Sequence, residues 1–90
     1  MKIRKGFVVR KVGDAQYAVA TGEALKHFKG MIKLNEMGAF MFTLLQEETT
    51  AEQVAERIEQ SFEGDHEAIM ADIGKFVATL KEADVLEDEQ

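Results

Sequence analysis

The sequence predicts an α+β domain, a three-stranded antiparallel sheet followed by three helices. Three observations carry this expectation. Residues 7–34 hold short runs of β-forming residues that alternate with a period of two. From Asn35 onward the apolar residues recur at helical spacing instead. All the strands precede all the helices, the order expected when helices are segregated to one side of an antiparallel sheet. With 90 residues and no linker, repeat or proline, residues 1–90 read as a single domain.

Phe7-Val-Val-Arg-Lys-Val12 forms the first strand, with Val8, Arg10 and Val12 on one face and Phe7, Val9 and Lys11 on the other. Gly13-Asp14-Ala15 supplies turn material, and residues 16–21 follow as a second strand with Tyr17 and Val19 on one side. The short gap makes 7–21 a hairpin. Residues 22–30, bounded by Gly22 and Gly30, are a connection with one loose turn. Met31-Ile-Lys-Leu34 is a short third strand, expected because a lone hairpin is marginal in water. Met31 and Ile32 point to opposite faces, so only one of them faces the core.

Asn35 can accept a first-turn N–H and caps a first helix over about 36–47. Met37, Phe40, Met41, Phe42, Leu44 and Leu45 cover most of its circumference, which places it centrally. Thr50-Ala-Glu-Gln53 is a capping-box pattern that opens the second helix. Val54, Ile58 and Phe62 form its apolar stripe, and Gly64 is expected at its C′ position. Asp65 caps a third helix over about 66–83, with Ile69, Ile73, Phe76, Val77 and Leu80 on the buried side. Val85 and Leu86 are expected to pack back onto the core, and the acidic end 87–90 to fray into disorder.

Composition removes several classes of function. The chain holds no cysteine, so no disulfide framework or thiolate metal site forms. No apolar run approaches the roughly 20 residues that span a membrane. The basic start is followed by strand-like alternation rather than a signal-peptide core, which points to a cytoplasmic protein without a membrane partner. No nucleotide-binding glycine pattern occurs, and the only serine is Ser61, near the end of the second helix. His27 and His66 are isolated, and Glu52, Glu56, Glu59 and Glu63 have the spacing of a solvated helix face. No catalytic group, metal site or cofactor is therefore expected, and the chain is read as not an enzyme.

Net charge is −6, but residues 1–33 carry eight Lys/Arg against two acids, while 34–90 carry three against fifteen. Three helices beside a small sheet suit a DNA-binding winged helix, yet Glu52, Glu56, Glu59, Glu63, Glu67 and Asp72 would face phosphate with like charge. Nucleic acid is accordingly not expected as a partner. A peptide fits better. A third strand at the sheet edge leaves backbone N–H and C=O groups unpaired, and an extended guest can pair there as a further strand.

Gly30-Met-Ile-Lys-Leu-Asn-Glu-Met-Gly-Ala-Phe-Met-Phe-Thr-Leu-Leu45 resembles the PqqD family closely: a short strand, then Leu-Asn-Glu-x-Gly-Ala leading into an apolar helix. Gly6-Phe-Val-Val-Arg10, Thr49-Thr50 and Leu86 are similar to that family as well, so the resemblance covers about residues 3–86. It implies a winged helix-turn-helix-like fold that recognises the leader of a ribosomally made precursor peptide. It also implies a partner enzyme, typically a radical-SAM maturase, serving PQQ synthesis or another peptide product. The leader would add to the third strand and lie against the third helix. Carried onto this chain, the strand side is Phe28, Lys29, Gly30, Met31, Ile32, Lys33 and Leu34. The helix side is Asp72, Lys75, Phe76 and Thr79. Phe76 reads equally as core.

A groove between a basic strand (Lys29, Lys33) and an acidic helix (Glu67, Asp72) would fix the direction of a leader of mixed charge. Gly74 costs about 1 kcal/mol in a helix against alanine, which reads either as close approach by a peptide or as packing or tolerance. Two other readings stand beside leader binding: an interaction module that pairs its open edge with a second copy as a homodimer, and the winged helix disfavoured by charge.

Overall fold

The computed structural model describes residues 1–87 and has the expected element order. Strand β1 (Phe7–Val12) and strand β2 (Ala15–Ala20) form the hairpin. A turn of 3₁₀ helix (Gly22–Lys26) leads to strand β3 (Met31–Leu34). Helices α1 (Glu36–Leu44), α2 (Ala51–Ser61) and α3 (His66–Glu82) follow. The strands pair antiparallel in the order β1-β2-β3, so β3 lies at an edge.

The hairpin register explains which residues turn inward. Val12 pairs with Ala15 across a two-residue turn, and Gly13 supplies the positive φ (62°) such a turn requires. The inward rows are Phe7–Ala20, Val9–Ala18–Ile32 and Lys11–Gln16–Leu34. The small residues of central β2 face the helices, and Ala18 and Ala20 are buried there against α1. Tyr17 and Val19, the larger pair, consequently lie on the outward face. Ile32 packs against the core while Met31 is exposed, which settles the choice between them.

Capping follows the sequence. Gly38 N–H donates to Asn35 Oδ1 at 2.6 Å, Thr50 and Gln53 form the capping box, and Ala68 N–H donates to Asp65 Oδ1 at 2.9 Å. Four boundaries differ from expectation, that of the third helix by one residue, since it ends at Glu82 rather than 83. The second strand starts and ends one residue earlier than 16–21. The first helix stops at Leu44 rather than 47, where the start of the chain runs alongside: Ile3 N–H donates to Leu45 O at 2.8 Å and Thr49 N–H to Met1 O at 3.0 Å, and the Met1 amine holds Glu48 and the Thr49 carbonyl. Gly64 is not at C′. The second helix is capped by Phe62 in extended conformation, and Gly64 falls two residues beyond it.

Phe42 is fully buried at the centre, with Phe7 edge-on to it at 6.3 Å. Ile58, Ile73, Leu80, Val54 and Leu45 complete the core between sheet and helices. Val85 and Leu86 pack back as expected. The segment before β1 closes the domain in a way the sequence did not announce. Ile3 is buried and bridges Leu86, while Arg4 N–H donates to Val85 O at 2.9 Å and Glu87 N–H to Lys2 O at 2.8 Å. Of the acidic end expected to fray, Glu87 is thus tied by its backbone, and 88–90 lie outside the described residues.

Candidate functional site

The free side of β3 opens onto a groove of about 370 Å³ whose far wall is α3 and whose floor is α1. The strand contributes Lys33 and Leu34, and the helix contributes Asp72, Lys75, Phe76 and Thr79. These four helix positions share one face because residues three and four apart lie one above another. The floor comes from Asn35, Met37, Gly38 and Met41, residues that strand-and-helix reasoning had not included. The available signal was Gly38 itself, a glycine inside an otherwise apolar helix. A Cβ there would stand 3.5 Å from Phe76 Cε1 and 3.6 Å from Leu34 Cδ2, so the missing side chain keeps the groove open to its floor.

Of the eleven residues the sequence pointed to, six line the groove and five do not. Phe28 turns inward against Phe7, with ring centroids 6.2 Å apart. Lys29 and Gly30 are exposed in the connection before the strand. Met31 projects onto the outward face of the sheet, and Ile32 packs toward the core. Both still carry strand backbone at the edge. Phe76 combines the two roles foreseen for it, since it is half-buried against the core and also lines the groove.

The charges are arranged less simply than a basic strand opposite an acidic helix. Lys29 and Glu67 do not line the groove, and Lys75 places a cation on the helix side beside Asp72. Among the described residues, Lys33, Asp72 and Lys75 form no salt bridge, so all three remain available to a guest. Gly74 is exposed, has open space where its side chain would be, and does not line the groove. Tight packing against the chain's own residues is therefore not the reason for a glycine there.

The histidines lie elsewhere. His27 Nδ1 meets Asp84 Oδ2 at 3.0 Å, and His66 Nδ1 meets Glu59 Oε1 at 3.1 Å. Asp84 also receives Arg4 at 2.6 Å. These hydrogen bonds, Arg4's first and His27's second, hold its carboxyl below the usual value. Among the described residues no group of three or more His, Asp or Glu is placed to hold a metal ion, and no helix is long and apolar enough to cross a membrane.

An open strand edge, an apolar floor and an uncompensated charged rim define a class: small α+β domains with a groove beside the free edge of a sheet. The sequence pattern of one such family, described as "Coenzyme PQQ synthesis protein D (PqqD)", matches residues 17–86, and this chain belongs to the PqqD family. Two solved structures share its fold. One is "TbiB1 in Complex with the TbiA(beta) Leader Peptide", with a TM-score of 0.75 and 20% identity over 100% of this chain and 99% of that one. The other is "Lasso peptide synthetase B1 complexed with the leader peptide", with a TM-score of 0.67 and 20% identity over 90% of this chain and 89% of that one. Among curated proteins no sequence matches.

Proposed function

We propose that this chain is a non-catalytic peptide chaperone. It binds the leader of a ribosomally made precursor by strand addition at β3 and presents it to a separate modifying enzyme, a radical-SAM maturase, in the cytoplasm. The observation that carries the reading is the unpaired edge of β3 directly beside the groove. Membership of the PqqD family supports it, as do the two leader complexes that share the fold.

The energetics suit a hold-and-release role. In an antiparallel pair alternate residues direct both backbone groups to the same side, so a four-residue edge strand offers about four hydrogen bonds to a guest. At ~1 kcal/mol net each these give only a few kcal/mol. A leader side chain buried over Leu34, Met41 and Phe76 adds about 1.5–3 kcal/mol. After ordering costs the sum corresponds to roughly micromolar affinity. Lys33, Leu34, Asp72, Lys75, Phe76 and Thr79 contact the leader's side chains, the backbone of Met31–Leu34 pairs with it, and Phe28, Lys29 and Gly30 border its entry.

Titrating labelled protein with candidate leaders from its genomic neighbourhood tests this by NMR. Shifts are expected at residues 28–34 and along the 72, 75, 76, 79 face of α3. Shifts confined to other surfaces, or β3 shifts that depend only on protein concentration, would instead favour self-pairing at that edge.

A further inference from the structure

Apart from Met31 and Lys33 on β3, the outward face of the sheet lies away from the leader groove, yet its composition is unusual. In an antiparallel sheet packed on one side, the solvent face is ordinarily polar. Here Val8, Val19 and Met31 stand opposite one another in a single row across all three strands. Val8 is 37% and Met31 59% exposed. The next row is Arg10, Tyr17 and Lys33, and Val12, 63% exposed, extends the apolar surface beyond it. No acid occupies any of these positions, and Arg10 and Lys33 form no salt bridge among the described residues.

We infer that this face is a second docking surface, for a protein presenting an apolar ridge edged by carboxylates, and that this protein is the enzyme that receives the leader. Charge selects the partner. A second copy stacked face to face would bring four cations together with no carboxylate between them, whereas an acidic rim would neutralise the Arg10–Lys33 row. Position supports the same partner. Strand β3 belongs to both surfaces, and a leader added to its edge widens the outward face by one strand, with alternate leader side chains continuing the two rows. An enzyme seated there touches chaperone and guest together, so it distinguishes the loaded from the empty chain. The inference rests on leader binding at β3 as proposed above.

The test uses changes on β1, the strand farthest from the leader edge: Val8→Thr with Arg10→Glu. The probes are a genomically neighbouring leader and the purified peptide-modifying enzyme encoded beside this chain. The variant is expected to melt like the native protein and to bind the leader unchanged, but to bind the enzyme at least tenfold more weakly. Undiminished enzyme binding overturns the inference while leaving leader capture standing. So does an enzyme with no affinity for the native chain, and so does recruitment of the native chain, but not the variant, to anionic phospholipid vesicles. A native chain that binds no leader overturns the underlying reading and this one with it.

Discussion

A methyl group at Gly38 would stand 3.1 Å from Asn35 Oδ1, the atom that caps α1, and close to Phe76 and Leu34 across the groove. Gly38→Ala therefore gains about 1 kcal/mol of helix propensity and gives back a similar amount at a crowded cap. Its melting temperature should move little, while leader affinity falls severalfold; equal affinity in a calorimetric titration would show that the floor is not used. Gly74→Ala makes the contrasting case. With open space for the added carbon, it should raise stability in urea by about 0.5–1 kcal/mol and leave leader affinity alone. Among the described residues Asp84 is the one non-glycine in the left-handed region (φ 60°), a conformation that Asn tolerates equally, so Asp84→Asn isolates the charge. Its carboxyl sits below the ordinary value of 3.8, chiefly through Arg4. A depressed folded-state value stabilises above the unfolded one and fades as pH falls through the folded one. The melting temperature of Asp84→Asn should thus lie slightly below the native at pH 7, and the gap should close as the pH drops below 3.8.

At the level of elements, the strands and caps were legible because their signals are local. Asn35, the Thr50–Gln53 box and Asp65 each act within one turn, and β3 was bounded correctly by its run of four residues. What was not legible depends on contacts distant in sequence. The early end of α1 coincides with Ile3 pairing to the Leu45 carbonyl, and the inward choice of Ala18 and Ala20 over Tyr17 and Val19 goes with the approach of α1. The groove was half legible for the same reason. Helix periodicity groups Asp72, Lys75, Phe76 and Thr79, but nothing in the spacing says that α1 closes the floor with Met37 and Met41. The charged rim can be tested as a unit. Reversing Lys33→Glu and Asp72→Lys singly should change leader affinity roughly three- to tenfold at low salt, with the difference shrinking at high salt because exposed charges are screened. Affinities indifferent to both changes and to salt would remove charge from the recognition.

For the molecule as a whole, the contact between Ile3 and Leu86 ties the two ends of the described fold together. Ile3 is almost fully buried yet lies outside every strand and helix. Ile3→Ala should cost about 2–5 kcal/mol, a large share of the 5–15 kcal/mol available to a small domain. A denaturation midpoint shifted by less than about 1 kcal/mol would mean that the segment contributes little. The same pairing brings residues 3 and 86 side by side, although the rest of the fold separates them in sequence. A unit whose entry and exit share one doorway can be spliced into a loop of a host protein, or rejoined end to end and reopened at the Gly13–Asp14 turn, without stretching any part of its interior. Such a module is portable between separate and fused arrangements, and its recognition surfaces would travel with it.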